Sequence, residues 1–128
     1  MALYHFSVRH VSRGKGQMVV ASAAYISGQR IFDSYYNKIH DYTIKSGVIF
    51  TEILTPEYVP ERMTDREILW NEVEHIERNN KAQLAYSLDI ALQNELTLEE
   101  NIRLAKEFCQ EQFVARGMIV DLAVHEGK

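Results

Sequence analysis

The side chains able to do chemistry are few in this 128-residue chain, and they are scattered. Cys109 is the only cysteine; it falls on the apolar helical spacing Leu98, Ile102, Ala105, Cys109 and reads as a small buried hydrophobe. Tyr25 sits in the alanine-rich run Ala21-Ser22-Ala23-Ala24-Tyr25, where a phenol taken alone is a packed helix aromatic. His125, taken alone, is a histidine at a strand end, and His5 lies on a polar strand face, where a structural hydrogen bond and a ligand contact are equally open. Glu74 and Glu77 share a helix and read as its solvated face. The cations Arg9, Arg13 and Lys15 cluster near the N-terminus, where they could meet phosphate.

Charge supports that last reading. The net charge is -4, which argues against indiscriminate binding to polyanions, yet residues 1–45 carry six cations against two anions and residues 46–128 eight against sixteen. The length suits one domain with one core, and 46% hydrophobic with 25% charged residues is ordinary for a globular chain. A lone cysteine excludes an internal disulfide framework and fits a reducing, cytoplasmic compartment. No run approaches the roughly 20 apolar residues that span a bilayer, and the opening MALYHFSVRH lacks a signal-peptide core.

The elements that must position these side chains follow from periodicity. Residues 3–11 alternate Tyr4, Phe6, Val8 with His5, Ser7, Arg9, the pattern of a half-buried strand. A glycine-rich turn, Ser12 to Gly16, leads into a helix over Met18–Gln29. Ile31–Leu54 reads as a hairpin, broken near Tyr36-Asn37-Lys38, then a further strand after Ser46-Gly47. Thr64-Asp65-Arg66-Glu67 has capping-box spacing for a helix to about Asn79 that buries Leu69, Val73 and Ile76. Thr97-Leu98-Glu99-Glu100 repeats the signal for a helix that ends by Gly117.

Gln83–Leu92 sets Leu84, Tyr86, Leu88, Ile90 and Leu92 against small or polar residues, and Met118–His125 sets Met118, Val120, Leu122 and Val124 against Ile119, Asp121, Ala123 and His125. Strands with one apolar face predict an α+β fold, an antiparallel sheet with helices packed mainly on one face. The other face is expected to stay open, carrying His5, Ser7, Arg9, Asp89 and His125. Such a face suits a single nucleic-acid strand, and equally a protein partner.

Specific residues separate these readings. Tyr4-His5-Phe6-Ser7, Ser12-Arg13-Gly14-Lys15-Gly16-Gln17, the alanine-rich run through Tyr25 with Gly28, and Asp41-Tyr42-Thr43 resemble the start of a MobA/MobL-type plasmid mobilisation relaxase. So do Glu52-Ile53-Leu54-Thr55-Pro56, Asp65-Arg66-Glu67 with Leu69-Trp70-Asn71, and Gly117-Met118-Ile119-Val120-Asp121 with His125, in order along the whole chain. The resemblance implies the HUH endonuclease (relaxase-like) fold and nicking of one DNA strand at a plasmid origin of transfer in conjugation. It implies a bacterial cytoplasmic protein whose partners are single-stranded DNA and other relaxosome proteins.

By the same resemblance Tyr25 matches the nucleophile, which forms a 5′-phosphotyrosyl link, and His125 matches one of three histidine ligands of a divalent metal ion, manganese or magnesium. The family's other two ligands form a His-x-His pair, whose imidazoles converge because residues two apart on a strand share a side. His5, His10, His40 and His75 form no such pair, so residues 1–128 read as the N-terminal part of a relaxase domain, without the strand that completes the metal site. A second departure is Ala85-Tyr86-Ser87, where relatives are expected to carry Ala-Arg-Glu, with Gln93 in place of a proline; Ser87 supplies no carboxylate base. The rival readings are a non-catalytic single-stranded DNA-binding module derived from a relaxase, and an interaction module whose uncovered sheet binds protein, including a second copy of the chain.

Overall fold

A computed structural model of the chain describes residues 6–76, 83–92 and 94–126, with the side chains of residues 6–10 and 83 outside the description. The expectations on His5 and Glu77 lie outside the described residues. The strands are β1 (Phe6–Ser12), β2 (Arg30–Asp33), β3 (Lys38–Asp41), β4 (Val48–Leu54), β5 (Gln83–Ile90) and β6 (Val120–His125). The α-helices are α1 (Val19–Ser27), α2 (Arg66–Ile76) and α3 (Leu98–Gln112).

The class is α+β and the pairing is antiparallel throughout the described strands. They form three separate two-stranded ladders, β1 with β5, β2 with β3, and β4 with β6, where the alternation had suggested one sheet. The hairpin turns where expected: Asn37 takes a left-handed φ of 54°, a conformation asparagine tolerates, and Asp33 Oδ1 accepts the amides of Tyr35 and Tyr36 at 3.1 Å. Its other carboxylate oxygen meets His40 Nε2 at 3.0 Å inside the protein. His40 is therefore a structural residue of this hairpin.

One core cluster packs α1 against β1 and β5 through Val11, Val19, Val20, Ala23, Ala24 and Leu84, with Trp70 and Val73 of α2 alongside. The second packs Leu54, Val120 and Leu122 of β4 and β6 against Phe108 and Cys109 of α3 and Val114 of the turn that follows it. Burial pushes the Cys109 thiol up from its ordinary value, in keeping with a packing role.

The β5 face departs from expectation. Leu84 is buried in the core as expected, but Tyr86 is 64% and Ile90 43% exposed, and Ala85, from the opposite set, packs against the same core. Ser87 and Asp89 continue the Ala85 side of the strand, and Arg9 stands opposite Ser87 in the ladder.

Strand β6 carries helices on both faces. Val120 and Leu122 meet α3, whereas Asp121 accepts the Arg66 guanidinium at 2.7–3.0 Å and the Trp70 indole N–H at 2.8 Å, both from α2. Alternation predicts one open face for this side of the strand; it is covered by α2 at Asp121 and exposed at His125.

The two capping signals resolve differently. Thr97 and Glu100 form the reciprocal box, at 3.0 and 3.1 Å, and the threonine contacts hold the Glu100 carboxyl below its usual range. At α2 the cap moves one residue on: Asp65 Oδ1 accepts the amide of Ile68 at 3.1 Å, while Thr64 bonds back to the Glu61 carbonyl. Glu67, released from the box, accepts the Phe32 amide at 2.8 Å and docks the hairpin on α2.

The buried stripe of α2 also shifts. Ile76 is 68% exposed, and Glu74, expected in solvent, is fully buried. Its Oε1 accepts Arg13 Nε at 2.9 Å, and a second Arg13 nitrogen donates to the Glu74 carbonyl. A charge is tolerated inside only because its counter-ion is equally buried, here with side-chain exposures of 5% and 0%. Tyr36, raised in pKa by burial and then by the nearby Glu74 charge, borders the same pair.

Candidate active site

The last turn of α1 is built to hold its exposed phenol in a defined place. Gly28 ends the helix in the left-handed region at φ 65°, and its amide returns to the Ala24 and Tyr25 carbonyls. A Cβ there would approach Val48 Cγ2 to 3.2 Å, so glycine also lets the helix end seat against β4. Val48 pairs with His125 across the β4–β6 ladder. The helix end, the start of β4 and the end of β6 thus meet at one place.

Tyr25 is 54% exposed there. Its ring meets Tyr42 edge-on, with centroids 5.3 Å apart and planes at 89°, and Lys45 Nζ lies 3.8 Å from its centroid. The same ammonium donates to the Tyr25 carbonyl at 2.8 Å. His125 Nε2 lies 2.8 Å from the carbonyl oxygen of Ile26, the next residue along. Since a carbonyl only accepts, the imidazole must donate from Nε2. Both Lys45 and His125 therefore bond carbonyls of the last turn of a helix, where positive charge is favoured.

The expected site residues separate into groups. Tyr25 and His125 come together through neighbouring residues of α1. Lys15 is exposed on the turn that follows β1, while Arg13 on that turn is 7% exposed and committed to Glu74 and to the ring of Tyr35, 4.5 Å from its guanidinium carbon. Arg13 holds the turn against α2 through these contacts. Arg9 is placed by its backbone alone, opposite Ser87. Sequence does not single out Lys45; the available signal is its place three residues after Tyr42, two beyond the Asp41-Tyr42-Thr43 motif.

His125 would offer a metal only Nδ1 while Nε2 donates to Ile26. Among the described residues no three histidine, cysteine or acidic side chains converge on a point that could hold a metal ion. A divalent cation takes several ligands, so this donor set does not by itself fit one. The carboxylate nearest in the strand, Asp121, is already filled by Arg66 and Trp70.

The fold and this helix end define an antiparallel α+β domain with an exposed tyrosine one residue before the carbonyl that a strand-end histidine bonds. The family model of the MobA/MobL family matches residues 17–128. The chain belongs to the MobA/MobL family. It is 39% identical to the conjugal transfer protein TraA of Rhizobium radiobacter over 98% of its own length and 12% of that protein's. Against mobilization protein MobL of Acidithiobacillus ferridurans it is 34% identical, covering 98% of this chain and 32% of the relative. A solved structure from work on the molecular basis of vancomycin resistance transfer in Staphylococcus aureus superposes with a TM-score of 0.92 at 40% identity, over 98% of this chain and 63% of that one. The fold is accordingly relaxase-like, and the chain spans a minor part of the curated relatives' length. No helix among the described residues is long and apolar enough to cross a membrane.

Proposed function

We propose that this chain carries the nucleophile of a conjugative DNA relaxase, and that Tyr25 cleaves one strand at an origin of transfer by transesterification. The observation that carries the reading is the exposed Tyr25 phenol on the last turn of α1, with His125 bonded to the adjacent carbonyl. The phenolic oxygen would attack the scissile phosphorus as its proton leaves, forming a Tyr25 phosphodiester with the 5′ side. The P–O3′ bond breaks, and the departing oxygen takes a proton to become a free 3′ hydroxyl. Bond energy is retained in the ester, and the reverse attack rejoins the strand.

Single-stranded DNA is the proposed partner, with Lys15 and Arg9 as candidate phosphate contacts. The cation-rich N-terminal third supports that assignment. The test uses labelled single-stranded oligonucleotides tiling both strands of the genetic element that encodes the chain, with added manganese or magnesium. A denaturation-resistant adduct on one oligonucleotide, absent in Tyr25→Phe, is expected. An adduct that persists in Tyr25→Phe overturns the assignment of Tyr25. Retained, salt-sensitive DNA binding with no adduct would replace the enzyme reading with a binding module.

A further inference from the structure

The contacts around Tyr25 come from one short segment. Tyr42 and Lys45 are the ends of a turn closed by the Lys45 amide donating to the Tyr42 carbonyl at 2.9 Å. Asp41, exposed just before the turn, braces it by accepting the Thr43 amide at 2.9 Å and the Thr43 hydroxyl at 2.6 Å. The Tyr42 amide donates to the Gln29 carbonyl at 3.1 Å, which ties the turn to the residue just beyond α1. The turn is therefore anchored to the helix end independently of the Tyr25 ring.

We infer that the Asp41–Lys45 turn is a clamp for the Tyr25 ring, with Lys45 as a positioning residue. An exposed aromatic at a helix end is otherwise free to change rotamer, and a misplaced attacking oxygen loses much of the advantage of orientation. Lys45 restrains both ends of one residue: its ammonium caps the Tyr25 carbonyl and lies against the Tyr25 ring. Tyr42 closes a second direction with its edge-on contact. This inference rests on the nucleophile reading for its consequence in catalysis, but the clamp itself is a statement about ring geometry.

The experiment compares wild type, Lys45→Met, Lys45→Arg and Tyr25→Phe in the full chain carrying ring-labelled tyrosine. Tyr25→Phe identifies the Tyr25 resonances. Lys45→Met keeps an apolar stem and removes the charge, and it is expected to shift those resonances and to slow single-turnover adduct formation by about three- to tenfold. The oligonucleotide dissociation constant should stay within about twofold, and Lys45→Arg, which keeps a donor and a cation, should recover most of the rate.

Unchanged Tyr25 resonances in Lys45→Met overturn the clamp. A loss of DNA affinity equal to the loss in rate overturns it too, by making Lys45 a phosphate contact. If wild type forms no adduct with any oligonucleotide, the nucleophile reading fails, and the ring resonances of Lys45→Met against Lys45→Arg still decide the clamp.

Discussion

His125 reaches from the end of β6 to within 2.8 Å of the carbonyl oxygen of Ile26, the residue that follows Tyr25. This single bond joins the far end of the chain to the helix turn that carries the exposed phenol. It also fixes the chemistry of the ring, because donation at Nε2 leaves the lone pair of the neutral imidazole on Nδ1.

The tautomer is directly measurable. In 15N spectra above the imidazole titration, His125 should show a protonated Nε2 and an unprotonated Nδ1. Added manganese should broaden Nδ1 ahead of Nε2 if the ring becomes a ligand without releasing Ile26. A protonated Nδ1 in the free protein would mean that the bond to Ile26 does not exist in solution.

The buried pair of Arg13 and Glu74 should be costly to break and cheap to replace. Arg13→Met leaves Glu74 as an uncompensated interior charge and should lower unfolding free energy by about 3–5 kcal/mol, whereas Arg13→Met with Glu74→Leu should recover most of that loss. Urea unfolding of the three proteins checks it. If the double variant is no more stable than Arg13→Met, the pair does not carry the packing assigned to it.

The Thr43 contacts, side chain first and then backbone, hold the Asp41 carboxyl below its ordinary 3.8. A depressed folded value means that the stabilisation is complete above the unfolded value and is lost as pH falls through the folded one. Asp41→Asn should therefore be less stable than wild type at pH 6, with the difference closing below the usual carboxylate range. Unfolding curves at pH 6, 4 and 3 test this, and a pH-independent gap would contradict it.

Local signals were read well where a residue's partner is close in sequence. Asn37 and the Thr97–Glu100 box stand where their spacing put them, because each is settled within a turn of chain, whereas α1 stops at Gly28, before the expected Gln29. Partners distant in sequence decided the rest. Glu74 looked like a solvated helix residue until Arg13, 61 positions earlier, was placed beside it. Along β5, Leu84 is buried as alternation suggests, whereas Tyr86, two residues on, is exposed, a difference β5 cannot disclose alone. At the helix end, family motifs pointed to Tyr25 and His125, but Lys45 emerged only from three-dimensional proximity.

The opposed partners of β6 constrain how this segment can change over time. Asp121 and His125 point to one side of the pleat and serve α2 and α1, while Val120 and Leu122 serve α3. Removing one residue between Asp121 and His125 would invert every side chain beyond the deletion, carrying the imidazole to the α3 side and Glu126 to the position facing the Ile26 carbonyl. Substitutions in this strand can be absorbed one at a time, but changes of reading length cannot. Among surviving homologous chains, the spacing from Asp121 to His125 should vary less than the identity of the residues between them.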